Sequence, residues 1–338
     1  MSGAPVSPQK RTVQYSTPQY QASRQAELML VIFHPDHTTP TTCHPLMAIK
    51  FSPAALRLVT RPPFLSPRNY HTSSHHRSMS SQAASFDNSP FQVLKPSLFK
   101  SIIDTWFESQ PIGAKAPTPD SFKRWFNNPD KAEAARFDAK LSSLFRPALE
   151  VLGPGAIDVQ TQKSWKEETD AAADIARSLL GVVTDSNPEH ALALVVLLDQ
   201  MPRNIFREEQ AVIYSHYDVL SRSVARAVLS GTRRADYAKG IKDNFARRLW
   251  FYMPFMHSEW IQDHDLFSTY LEEAKNDKEC NVDEQVADTI TRQEDFEERH
   301  AIIIRQFGRY PYRNEWLGRE TTTEEQQWLH GGGERFSS

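Results

Sequence analysis

Three short stretches of this sequence combine acids, amides, arginines and histidines in patterns that could do chemistry. In LLDQMPRNIF an apolar run ends at Asp199. FYMPFMHSEW contains His257, Ser258 and Glu259, and ERHAIIIRQFGRYPYRNEWLGRE carries His300 and a series of arginines. Each stretch follows an apolar helical run and contains proline or glycine, so we expect all three at helix ends. Their polar side chains could then converge at one end of a helical bundle.

The first stretch has two interpretations. Pro202 could end the helix, with Arg203 near the negative end of the helix dipole and Asn204 capping the next helix. Asp199 then ends an apolar run, where an ionised carboxylate needs a partner, most simply an arginine from another stretch. A structural Asp–Arg pair and a ligand contact made by Asp199 and Gln200 are both consistent with the sequence.

The second stretch also reads in two ways. Ser258 could cap a helix, and Glu259 could complement the dipole of its first turn. Alternatively, His257 is a general base or ligand contact that Glu259 orients. No nucleophile elbow surrounds Ser258, which argues against a serine-hydrolase triad.

A metal site would have to draw on five nearby acids and histidines: His257, Glu259, Asp263, His264 and His300. Their spacing lacks the His-Glu-x-x-His pattern of zinc-binding helices, so we predict no metal.

The third stretch is rich in arginine. Arg305, Arg309 and Arg313 recur every four residues around the helix-ending Gly308 and Pro311. The planar guanidinium donors of arginine can grip carboxylate or phosphate oxygens in two places. These arginines could equally pair with acids inside the fold, and a small anion could complete such a network.

His300 belongs to an apolar stripe at helical spacing and is therefore expected to face inward. A histidine in this setting is either a hydrogen-bonded core residue or a catalytic group next to the arginine-rich turn.

Helical periodicity extends through the chain from Pro96 onward, and no hairpin or alternating strand pattern competes with it. Asn187-Pro188 predicts the start of a central helix whose core, residues 191–198, is apolar on all sides. We predict an all-α domain over residues 87–338, with eight to ten helices. Helical hairpins stacked side by side would form an array with a concave face, although no 34-residue repeat is visible.

The first 86 residues differ in composition from the rest. They hold eight Lys or Arg and two acids, whereas acidic residues outnumber basic ones by 40 to 31 from residue 87 onward. Residues 1–46 are typical of a low-complexity leader, and residues 47–86 contain basic residues but no acid, as mitochondrial transit peptides do. We predict a mitochondrial matrix protein, or a cytoplasmic one if translation starts at Met79; a disordered basic tail is the alternative.

Other classes of protein fit the composition poorly. The acidic body is a poor partner for the phosphates of nucleic acids. The apolar runs are too short to cross a membrane, which takes ~20 residues. Cys43 and Cys280 cannot form a disulfide framework, and we predict a reducing compartment.

The three stretches also resemble, in order, three signatures of an uncharacterised, mainly bacterial protein family whose usual forms read LDQFPRN, YMPFMHSE and FGRFPHRN…LGR. The resemblance covers roughly residues 92–330. Here Met201 and Tyr310 replace phenylalanines, and Tyr312 stands where the family commonly has histidine. The resemblance implies an all-α fold similar to tetratricopeptide-like stacks of helical hairpins, and it supplies no reaction.

Two functional hypotheses follow. The first is a pocket for a small anionic molecule, in which Arg309 and Arg313 hold the anion and His257 or His300, with Glu259, would carry out any proton transfer. The second is a non-catalytic helical scaffold that binds a peptide or protein partner. No cofactor fingerprint is present, and enzymatic activity and oligomeric state stay open. The predicted ligand-binding residues are Asp199, Gln200, Arg203, Asn204, His257, Ser258, Glu259, His300, Arg309, Arg313 and Asn314.

Overall fold

Helices form the regular structure of this protein. The computed structural model describes residues 90–126, 128–160, 162–181 and 187–336, and no strand occurs in those ranges. The longer helices are α1 (Pro96–Trp106), α2 (Pro119–Phe126), α3 (Lys131–Val151), α4 (Trp165–Leu180), α5 (Pro188–Ile205), α6 (Asp218–Val228), α7 (Ile261–Asn276), α8 (Glu284–Phe307) and α9 (Thr323–His330). The predicted all-α class is confirmed. The tetratricopeptide-like arrangement stays a prediction, and the segments 1–46 and 47–86 lie outside the described residues.

Side-chain caps fix several helix starts. Asn187 accepts a hydrogen bond from the Glu189 backbone N–H, so the predicted start of the central helix is confirmed. Helix α3 begins at Lys131, because the Asp130 side chain accepts hydrogen bonds from the N–H groups of Ala132 and Glu133. Helix α9 has a reciprocal capping box between Thr322 and Glu325.

Helix α5 is the core of the fold. Every residue from Ala191 to Pro202 is buried, and the helix packs against α1, α3 and α6. Burying each of its leucine and valine side chains contributes about 1.5–3 kcal/mol. Asp199 and Gln200, near the end of this helix, are therefore buried, whereas Arg203 and Asn204 beyond them are partly exposed.

Pro202 does not end α5, contrary to one interpretation of the sequence. The helix continues to Ile205, and the Pro202 carbonyl accepts a hydrogen bond from the Phe206 N–H at 2.8 Å. Proline removes one donor and strains the preceding turn. Burial of Leu197, Leu198 and Met201 on the same helix offsets that cost.

The segment between α6 and α7 consists of short turns instead of one helix. Phe245–Arg248, Leu249–Phe251 and Met253–Met256 follow one another, and their apolar side chains are buried. His257 comes directly after the last turn and thereby faces the end of α5. No helix of the described residues has the length and apolar character needed to span a membrane.

Candidate functional site

A cavity of about 430 Å³ lies between α2, the end of α5, the Met253–Met256 turn and α8. Five of the predicted site residues line it: Gln200, Arg203, Asn204, His257 and His300. Arg207 and Gln293 complete its polar surface. The apolar wall consists of the α2 rings Phe122, Trp125 and Phe126, of Met253 and Met256, and of Phe296 and Phe336.

Asp199 lies directly behind the cavity and holds His257. Its Oδ1 is 2.9 Å from Nδ1 of His257, and its Oδ2 accepts from the Gln200 amide at 2.6 Å. Asp199 has no exposed surface. Burial alone would raise the pKa of this carboxyl, but the charges of His257 and Arg203 outweigh it and lower the pKa to about 2. Asp199 is therefore an ionised acceptor, and the Nδ1–H group of His257 donates to it.

The other ring nitrogen of His257 is available to a ligand. Nε2 has no hydrogen-bond partner among the described residues, and the His257 side chain, which is 14% exposed, lines the cavity. Burial and the nearby Arg203 lower the pKa of His257. The imidazole is thus neutral near pH 7, with its lone pair on Nε2. This is the arrangement of a general base whose orientation a carboxylate fixes.

Arg203 belongs to a second buried group of charges beside this pair. Its guanidinium is 2.8 Å from Asp218 and 3.8 Å from Asp199. Asp218 also lies 3.4 Å from Arg313, which donates to the His257 backbone carbonyl at 3.0 Å. Arg313 therefore fixes the backbone of the histidine and does not line the cavity.

His300 contributes a second neutral imidazole to the cavity. Its Nδ1–H donates to the Phe296 carbonyl one helical turn earlier, at 2.7 Å. Burial holds the pKa of His300 well below its usual range. Its ring stacks on Phe336, with centroids 3.5 Å apart. The inward orientation follows the apolar stripe of α8.

Ser258 and Glu259 do not reach the cavity. Helix α7 begins at Ile261 with Trp260 as its N-cap residue, so the expectation that Ser258 caps this helix is wrong. The Ser258 hydroxyl accepts from the Trp260 N–H at 3.1 Å and donates to Asp263 at 2.6 Å. Glu259 forms a two-bond pair with Arg319, at 2.6 and 3.0 Å, so it does not orient His257.

Arg309 and Asn314 also lie elsewhere. Both bind Glu325 near the start of α9, Arg309 through two bonds of 2.6 and 2.8 Å and Asn314 at 3.1 Å. These two residues and Arg313 thus follow the alternative in which the polar residues pair inside the fold. The guanidinium groups that line the cavity belong to Arg203 and Arg207 instead.

Two of the residues considered for a metal site have other partners. His264 pairs with Glu297 at 2.6 Å, and Asp263 pairs with Arg226. Within the described part of the chain, no three His, Cys, Asp or Glu residues are placed to hold an ion.

Several residues that line the cavity were not among those predicted from the sequence. Arg207 follows Arg203 by four residues, and this spacing was a usable signal for a shared face. It forms a two-bond pair with Asp138, which also accepts from Asn204 at 2.8 Å. Phe336 and the α2 rings gave no signal, because they come from segments distant in sequence.

The fold and this cavity define an all-helical protein with a buried Asp–His pair. The chain belongs to the family described as bacterial protein of unknown function (DUF924), whose model matches residues 102–333. The predicted membership of an uncharacterised bacterial family is thereby confirmed. A solved protein of unknown function from Agrobacterium tumefaciens is similar, with 25% identity, coverage of 70% of this chain and 98% of that one, and a TM-score of 0.38. No curated protein matches the chain.

Proposed function

We propose that this protein is an enzyme that binds a small organic acid in the cavity and removes a proton from it with Nε2 of His257. The observation that carries the proposal is the 2.9 Å bond between Asp199 and His257 behind the cavity wall. It leaves a neutral, oriented imidazole facing a space of about 430 Å³, within the size range of small-molecule sites.

The lining of the cavity supports an acidic ligand with an apolar body. Arg203 and Arg207 supply guanidinium donors, and Gln200, Asn204 and Gln293 supply amides. No carboxylate belongs to the lining among the described residues. A ligand carboxylate or phosphate would therefore meet hydrogen-bond donors, while the aromatic wall covers its carbon skeleton.

Arg203 is positioned to hold the acidic group near the base. It lies within 3.8 Å of Asp199, which in turn holds His257. An acid bound at Arg203 would place a neighbouring carbon-bound or hydroxyl proton close to Nε2. Such positioning is the main contribution that a site of this kind makes to proton transfer.

A ligand screen tests binding first. Full-length protein is heated in the presence of carboxylic acids and phosphate esters, and a bound ligand raises the free energy of unfolding by about 2.7 kcal/mol at a hundredfold excess over its Kd. Loss of the shift in Arg203→Met places the ligand in this cavity. If none of these acids shifts the melting temperature, the acid-binding role is wrong and the peptide-binding scaffold becomes the better hypothesis.

Proton removal is tested with each acid that binds. In D2O the wild-type protein should exchange a ligand hydrogen for deuterium or convert the ligand, which NMR detects. His257→Gln should bind the acid but lose this exchange at least a hundredfold, the lower range for general bases. His330→Gln, on the exposed end of α9, is the matched control. Equal exchange in His257→Gln would rule out His257 as the base.

A further inference from the structure

Residues 331–336 fold back after α9 and lie along α8; we call this segment the strap. Its three glycines make the reversal possible. Gly332 has a φ of +84°, a conformation that residues with side chains rarely adopt. At Gly333 a Cβ would collide with the Trp328 ring, and the Gly333 N–H donates to the Trp328 carbonyl at 2.9 Å. The turn directs the following residues back toward the cavity.

The strap ends with a phenyl ring inside the cavity lining. Phe336 stacks on the face of His300, with an interplanar angle of 18°. A second aromatic ring, that of Tyr310, meets the imidazole at 90°. His300 therefore presents one flat face to the cavity, and an aromatic side chain of this protein covers that face.

An ion pair and the packing of Phe336 against the apolar cluster of Ile303, Ile304 and Tyr310 hold the strap in place. Glu334 pairs with Arg299 on α8, but both side chains are substantially exposed, at 36% and 47%, and such pairs contribute little. The Arg299 guanidinium also lies 5.6 Å from the Phe336 ring centroid. Three consecutive glycines add a large entropic cost to the ordered turn. Residues 334–336 belong to no helix, so moving Phe336 off His300 would unwind none.

We infer that the face of His300 is an aryl subsite, which Phe336 occupies until the aromatic ring of a ligand takes its place. This inference rests on the proposed function and names its substrate class as small aromatic acids. The ring of such an acid would stack on His300 among the rings of the cavity wall, and its acidic group would extend toward Arg203. Phe336 thus competes with the substrate and closes the empty site.

Direct binding measurements test the competition. Benzoate, a ring with a carboxylate, is titrated calorimetrically into full-length wild-type protein, Phe336→Ala and Phe336→Tyr. We take the protein with Phe336 stacked on His300 to be about ten times as abundant as the protein with that face free. Phe336→Ala removes the competing ring and should therefore bind benzoate about tenfold more tightly than the wild type. Phe336→Tyr keeps a ring and should bind like the wild type. Arg335→Ala, an exposed neighbour on the strap, is the matched control and should also be unchanged.

Equal benzoate affinity of the wild type and Phe336→Ala would overturn the inference. It would also be overturned if Phe336→Ala bound neither benzoate nor neutral benzyl alcohol. Binding of benzyl alcohol but not benzoate to Phe336→Ala would support the aryl subsite and overturn the acid-binding role. If only aliphatic acids bind, and Phe336→Ala does not change their affinity, the acid-binding role is supported and the aryl subsite is overturned. Failure of the strap inference is thus distinguishable from failure of the proposed function.

Discussion

Nδ1 of His257 lies 2.9 Å from Oδ1 of Asp199, although the two residues are 58 positions apart in the chain. This bond joins the end of the buried helix α5 to the segment that precedes α7. It fixes the proton on Nδ1 and leaves Nε2 for the cavity. One contact therefore decides both a tertiary arrangement and the chemistry open to the histidine.

Replacing Asp199 by asparagine should destabilise the fold and shift the titration of His257. The change removes a buried negative charge beside Arg203, and loss of one partner from a buried pair costs about 3 kcal/mol. The pKa of His257 should fall further, because Asp199 raises it. Urea denaturation and an NMR titration measure the two effects. Asp104→Asn, in an exposed pair with Lys100, is the control; equal stability of the two variants would contradict the prediction.

Stability should decrease as the pH falls from 7 to 5. Burial is the main cause of a lowered pKa for His216, His257 and His300 in the folded protein. Near pH 6.5 these histidines take up protons in the unfolded chain but not in the folded protein. The free energy of unfolding therefore decreases as the pH falls from 6.5 toward the lowered pKa values of the folded state. The slope is at most about 1.4 kcal/mol per pH unit for each histidine. Urea unfolding at several pH values measures it, and His300→Gln should reduce the slope; an unchanged slope would contradict the assignment to His300.

A second loss of stability is expected in stronger acid. Burial alone would raise the pKa of both Glu168 and Asp199. For Glu168 the charges of Arg222 and Arg226 outweigh the effect of burial and lower the pKa to about 2. For Asp199 the charges of His257 and Arg203 do the same, and its pKa is also about 2. Their stabilising effect is present above the unfolded carboxyl pKa near 4 and is lost as the pH falls toward 2. Circular dichroism between pH 5 and pH 2 detects this phase, and Glu168→Gln should reduce it.

Glu168→Gln should also weaken the fold at pH 7. Glu168 pairs with Arg222 at 3.0 Å and with Arg226 at 2.9 Å, and it accepts from the Trp260 indole at 2.8 Å. The variant leaves two buried guanidinium groups with less compensation, which costs about 3 kcal/mol. Denaturant unfolding measures the loss. Glu167→Gln, one residue earlier and exposed, should leave stability unchanged; a similar loss in both variants would show that the buried network is not the cause.

Gly308→Ala should cost about 1 kcal/mol. Gly308 ends α8 with a φ of +68°, and no atom would contact an added Cβ, so the cost is conformational. Thermal unfolding measures it. Gly155→Ala is the matched control, since that glycine has open space without a positive φ. A Gly308→Ala protein as stable as Gly155→Ala would show that the left-handed cap is dispensable.

Local signals in the sequence account for much of the helical frame. Apolar periodicity from Pro96 onward predicted an all-α domain, and helices form the regular structure of the described residues. Asn187-Pro188 marked the start of α5, and the apolar spacing around His300 indicated its inward orientation. These features depend on backbone hydrogen bonding and on residues three or four apart, which a linear pattern records. Pro202 was misjudged because tertiary burial outweighed its local preference.

The sequence by itself determined that this chain is helical and that Asp199, at the end of an apolar run, needs a partner. Only the tertiary structure decided that the partners are His257 and Arg203, that Arg313 binds Asp218 and that Arg309 binds Glu325. Because all arginines carry the same charge, Coulomb attraction alone does not determine which arginine pairs with which acid. The packing of helices distant in sequence determines which charges meet, and it also brings Phe336 onto His300.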